Sequence, residues 1–117
     1  MSIQRHGVTR RYSDSAIYGN TVYLVEVPSN LGGDITAQAE NLLASVDRLL
    51  LQAGSDKSRL LMATIYLADM TDYDAMNLVW DAWVPDGCAP PRACVQAKLA
   101  NSKFRLEIAL TAAVAQG

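Results

Sequence analysis

Two neighbouring stretches decide the reading of this chain: Ala89-Pro-Pro-Arg-Ala-Cys-Val-Gln-Ala-Lys98 and Phe104-Arg-Leu-Glu-Ile-Ala-Leu110. Both alternate in polarity, the period of a strand with one face buried. In the first, Ala93, Val95, Ala97 and Leu99 share one face, while Arg92, Cys94, Gln96 and Lys98 share the other. In the second, Phe104, Leu106, Ile108, Leu110, Ala112 and Val114 form an apolar face opposite Arg105, Glu107, Ala109 and Thr111. A hairpin with an even-numbered loop would superimpose the two apolar faces. Arg92, Cys94 and Glu107 would then converge on one side of a sheet. That convergence is the first candidate for a functional site.

Working outward, Leu60-Leu-Met-Ala-Thr-Ile-Tyr-Leu67 is almost wholly apolar and reads as a strand buried inside the sheet. Thr21-Val-Tyr-Leu-Val-Glu-Val27 is β-branched and aromatic, a strand stopped by Pro28. A shorter strand over Tyr12 to Ile17 precedes it across the turn Tyr18-Gly19-Asn20. Between Asp34 and Gly54, apolar residues recur at helical spacing from Ile35 to Ala53, with Asp34 as N-cap. A second helix starts at Thr71 or Asp72, buries Ala75, Met76, Val79, Trp80 and Trp83, and ends before Pro85 and Gly87. The order β-β-α-β-α-β-β predicts an α+β domain with both helices on one sheet face. The opposite face is too apolar to be left wet, so a self-association surface is expected there.

Composition narrows the function. The 117 residues suffice for one domain with a real core, and residues 1–11 read as a flexible or loosely attached segment. A net charge of −2 argues against nucleic acid as a partner, despite Arg5, Arg10 and Arg11. The lone His6 cannot assemble a metal site with Cys88 and Cys94, so no metal is expected. No apolar run is long enough for a bilayer, and no signal-peptide pattern is visible. The two cysteines are expected to be reduced thiols in the cytoplasm.

These residues resemble the Rid family, the reactive-intermediate deaminases also called YjgF/YER057c/UK114. The resemblance rests on Pro91-Arg-Ala-Cys-Val95 followed at the family's spacing by Leu106-Glu-Ile108. Tyr12 ahead of Gly19-Asn20, the Ala53-Gly54 helix end and Asp72-Tyr-Asp-Ala-Met-Asn77 support it. Trp80-Asp-Ala-Trp-Val84 is similar to the short YoaB-like bacterial branch. The resemblance implies the fold of the bacterial chorismate-mutase trimers: a homotrimer with helices outside and clefts between subunits. It implies hydrolysis of enamines and imines such as 2-aminoacrylate or 2-iminobutanoate, without a cofactor. Carried over residue by residue, Arg92 binds the substrate carboxylate, for which a planar two-pronged donor is suited. Glu107 positions the hydrolytic water, and Tyr12, Asn77 and Cys94 line the cleft. Where active members carry a Ser-Gly pair, this chain has Val25-Glu26; a further family acid is Ala109 here. Read without the resemblance, Arg92 and Glu107 could equally be a structural ion pair, and Cys94 a small buried residue. The expectations therefore rank an enamine/imine deaminase first, then a non-catalytic binder of small carboxylates. The family's ribonuclease or translation-inhibitor activity comes third.

Overall fold

The sheet is built around Leu60–Leu67 (β4). In the computed structural model, which describes residues 2–115, β4 lies antiparallel to Leu106–Ala113 (β6) on one side and parallel to Arg92–Gln96 (β5) on the other. Thr21–Glu26 (β3) pairs with β6, Ser15–Tyr18 (β2) with β3, and Gln4–His6 (β1) with β2. The six-stranded order is β1-β2-β3-β6-β4-β5. Parallel neighbours need a crossover, and the helix Tyr73–Trp83 (α2) supplies it between β4 and β5. The longer helix Ile35–Gln52 (α1) connects β3 towards β4.

This topology corrects the opening expectation. β5 and β6 do not form a hairpin, because β4 is inserted between them. Residues 97–105 pass across the end of β4, and Leu106 rather than Phe104 begins the last strand. The alternation within each stretch is as read, but the faces do not superimpose. Arg92 stands beside Ala63 and Cys94 beside Ile65, both on the face that packs against the helices. Glu107 stands beside Tyr66 on the other face. Gln4–His6, for which the sequence showed no periodicity, is an edge strand.

α1 follows its sequence signals closely. The Asp34 side chain accepts from Ala37 N at 2.8 Å, satisfying one of the unpaired donors of the first turn. Gly54 follows the helix at φ +81°, a left-handed conformation that glycine adopts without a Cβ penalty. α2 has Asp72 at its N-cap position, one of the two residues expected there, but without the side-chain bond of a cap. A 3₁₀ turn, Met70–Asp72, precedes the helix, and Asp69 accepts from Thr71 N at 2.9 Å. Ile35, Ala39, Leu42, Leu43, Val46 and Leu50 of α1, with Met76 and Trp80 of α2, bury against Val22, Leu24, Ala63, Ile65, Leu67, Leu106, Ile108 and Leu110. A Leu or Ile fully withdrawn from water in this way contributes about 1.5–3 kcal/mol.

One buried polar residue in α1 escaped the sequence reading. Gln38, 1% exposed, donates from Nε2 to the carbonyls of Leu31, Gly33 and Lys103 and accepts at Oε1 from Arg105 N. It fastens the 97–105 connection to α1, satisfying backbone groups that no strand partners. Cys88 and Cys94 are free thiols. Among the described residues, no helix is long and apolar enough to cross a membrane.

The face away from the helices is bare in the single chain. Tyr23 (49% exposed), Val25 (47%) and Met62 (55%) stand on it with Thr64, Tyr66, Ala109 and Thr111. This is the half-covered sheet that the polarity pattern implied.

Candidate functional site

Arg92 opens β5, and its side chain crosses towards α2. Tyr73, Asn77 and Trp80 recur there at helical spacing, so all three present one face to β5. Nη1 of Arg92 donates to Asn77 Oδ1 at 2.8 Å, and Nη2 to the Tyr73 hydroxyl at 3.4 Å. The guanidinium carbon stands 5.5 Å from the Trp80 ring centre and 6.0 Å from that of Tyr73. These are cation–π distances, and the ring faces favour a positive charge between them. Among the described residues the only ion pair is Arg105–Asp72, at 3.3 Å, so Arg92 has no carboxylate partner. A half-buried guanidinium held by neutral acceptors has no countercharge beside it and still has donors to offer an anion.

The ion pair between Arg92 and Glu107 left open by the sequence is therefore absent, and so is their convergence. The two residues are offset by two strand spacings and three residues along the strands. That puts their Cα atoms about 14 Å apart, on opposite sheet faces. Glu107 instead lines an open hollow of about 360 Å³ with Val25, Tyr66, Lys98, Leu99 and Ala109.

Cys94 shares the helix-side face with Arg92. Burial pushes its thiol pKa up, against a smaller opposing effect of the Arg92 charge. The thiol is held protonated, the state opposite to that of an activated nucleophile.

Val25 and Glu26 part company. Val25 pairs with Ala109 and faces the open side, whereas Glu26 pairs with Ile108 and faces the helix side. Oε1 of Glu26 accepts from Val27 N at 3.0 Å. Burial raises the Glu26 pKa; the Val27 bond opposes this, Asp14 adds to it and Arg48 lowers it. The charged residue at the glycine position thus points away from Glu107.

Tyr12, 63% exposed, sits in the β1–β2 connection, where Thr9 Oγ1 donates to its carbonyl at 3.0 Å. β2 and β5 are four strand spacings apart, about 19 Å. A single chain cannot bring Tyr12 to Arg92.

The chain thus carries two separate clusters. Arg92, Asn77 and Cys94, joined by Tyr73 and Trp80, form one at the β5 edge. Glu107 and Val25 form the other on the open face. Trp80 read as packing in the sequence and Tyr73 was given no role; the i, i+4, i+7 spacing of Tyr73, Asn77 and Trp80 was the available signal for their place around Arg92.

Comparison with known proteins matches this arrangement to one family. The family model described as Endoribonuclease L-PSP matches residues 2–114. The RutC family protein YoaB of Escherichia coli is 49% identical over 114 residues, covering 97% of this chain and all of that protein. The crystal structure of NMB1025, a YjgF family member from Neisseria meningitidis, superimposes with a TM-score of 0.96 at 45% identity, covering 100% of this chain and 98% of that one. The 3-aminoacrylate deaminase RutC of Acinetobacter baylyi is 34% identical over 82 residues, 70% of this chain and 64% of that protein. The chain belongs to the YjgF, or Rid, family, with the α+β, chorismate-mutase-like fold of its members.

Proposed function

We propose that this protein hydrolyses enamine and imine acids of the 2-aminoacrylate or 2-iminobutanoate type to 2-oxo acids and ammonia, in a cleft shared by two copies of the chain. The observation that carries the reading is Arg92: a guanidinium without a carboxylate partner, fixed by Asn77 and two aromatic rings. A fixed fork of this kind suits a substrate carboxylate. The relative named 3-aminoacrylate deaminase supports the choice of chemistry.

The reaction asks little of the protein. Protonation of the enamine at C3 gives the imine, whose C2 is already electrophilic. Water adds to C2 and a proton passes to nitrogen. The C–N bond then breaks, ammonia leaves, and C2 becomes the ketone carbon. A carboxylate that orients the water and takes its proton accelerates the addition, and Glu107 is the residue for that role. Its place on the sheet face opposite Arg92 means the two act on one substrate only if they come from different subunits. The bare sheet face supports such an assembly. A homotrimer that stacks these faces withdraws Tyr23, Val25 and Met62 from water and brings the Glu107 side of one chain to the β5 edge of another. Tyr12 would reach the same cleft from that second chain, and Cys94 would line it without reacting. A reducing, cytoplasmic setting suits the two free thiols.

The test is ammonia release from 2-aminoacrylate generated in situ by a pyridoxal-phosphate dehydratase. Wild-type protein should accelerate release over the solvent reaction, and Arg92→Ala should abolish the acceleration. A folded protein that accelerates no member of a panel of imino acids overturns the reading.

One observation favours a second reading, a non-catalytic binder of small carboxylates. Val25 presents no hydroxyl to the open face. Saturable 2-oxo acid binding without turnover is its signature. The ribonuclease reading has less support, since His6, the only histidine, stands in β1 at the sheet edge opposite Arg92.

A further inference from the structure

Arg92 has five N–H donors, of which one is committed at 2.8 Å to Asn77. The contact to the Tyr73 hydroxyl, at 3.4 Å, is long. In that contact Tyr73 Oη accepts. Its own O–H proton has no acceptor among the hydrogen bonds of the described residues. Tyr73 is 38% exposed, at the first turn of α2, so the phenol is accessible from outside the sheet. A phenol that accepts from a cation is polarised and becomes a stronger donor.

We propose that Tyr73 is a carboxylate-binding residue: its phenol O–H donates to the same substrate carboxylate that Arg92 grips. The inference rests on the carboxylate-site reading above and adds a ligand to it. One carboxylate oxygen takes a guanidinium N–H, and the other takes the Tyr73 proton. Trp80 then backs the guanidinium from the buried side. The arrangement recruits a hydroxyl from the Arg92 half of the cleft, in a chain whose other half offers Val25 where a hydroxyl is expected. Asn77 meanwhile fixes the fork, since its oxygen faces Nη1 and leaves Nη2 to the ligand side.

Calorimetric titration with 2-oxobutanoate separates this inference from the reading beneath it. Tyr73→Phe keeps the ring beside Arg92 and removes only the hydroxyl. The expected result is about a tenfold weaker Kd for Tyr73→Phe, the usual effect of one hydrogen bond to a charged group. In the imine assay the loss should fall on KM more than on kcat, as for an interaction made equally in ground and transition states. If wild type binds, Arg92→Ala does not, and Tyr73→Phe binds like wild type, the role of Tyr73 is overturned while the carboxylate site stands. If Tyr73→Ala alone weakens binding, the ring matters only as packing, and the hydroxyl proposal fails. If wild type shows no saturable binding, the site and the inference fall together.

Discussion

Mixing two inactive variants gives the sharpest consequence of the two-cluster geometry. Arg92→Ala removes the proposed carboxylate anchor, and Glu107→Gln removes the proposed base while keeping its shape. Within one chain these residues point to opposite faces of the sheet, which stands between them and any shared three- or four-carbon acid. On the proposed deaminase reading, each cleft therefore takes Arg92 from one subunit and Glu107 from the next. In a closed ring assembled at random from equal amounts of the two variants, a cleft is intact when the first subunit carries Glu107→Gln and its neighbour Arg92→Ala. Both conditions hold in about one quarter of clefts. Co-expressed or co-refolded protein should recover about 25% of the wild-type rate of ammonia release, while each variant alone stays near the solvent rate. Separately folded samples of the two variants, mixed without subunit exchange, serve as the control. Recovery absent from verified hetero-oligomers would refute the division of the site between chains.

Two further predictions concern the scaffold. Gln38→Leu removes four hydrogen bonds to a buried junction and leaves Arg105 N and the Lys103 carbonyl unpartnered. Urea denaturation at fixed protein concentration should show about 2–4 kcal/mol lost. Burial raises the Glu26 pKa above its ordinary value of 4.5. The native state therefore holds this proton more tightly than the unfolded chain. The stability linked to the proton is fully present below the unfolded pKa and is lost as pH rises through the folded one. Glu26→Gln should accordingly be more stable than wild type at neutral pH, with the advantage fading below about pH 4. An advantage independent of pH would show that Glu26 acts through something other than its charge.

Local signals carried much of the fold. Asp34 and Gly54 bracket α1 with side-chain and backbone chemistry readable from the residue types. The apolar run Leu60–Leu67 coincides with β4, and its position inside the sheet follows from its having no polar face. What failed was adjacency. Alternation says which residues of a strand share a face, but not which strand lies alongside. β4 entered between β5 and β6, and its register sets Arg92 beside Ala63 and Glu107 beside Tyr66, an odd offset that puts them on opposite faces. Gln38 was invisible for a related reason: glutamine in an amphipathic helix reads as solvent-facing, and its partners, the carbonyls of Leu31, Gly33 and Lys103, come from loops whose course the sequence does not give. At the site, the family pattern singled out Arg92, Asn77 and Glu107. The absence of an acidic partner for Arg92, and the aromatic faces around it, required coordinates.

A crystal structure with 2-oxobutanoate soaked into the protein tests the central claim most directly. The account predicts the ligand carboxylate on Arg92 of one chain, with Glu107 of a neighbouring chain facing C2. A ligand bound elsewhere, or held at Arg92 with no Glu107 within reach of C2, would contradict it.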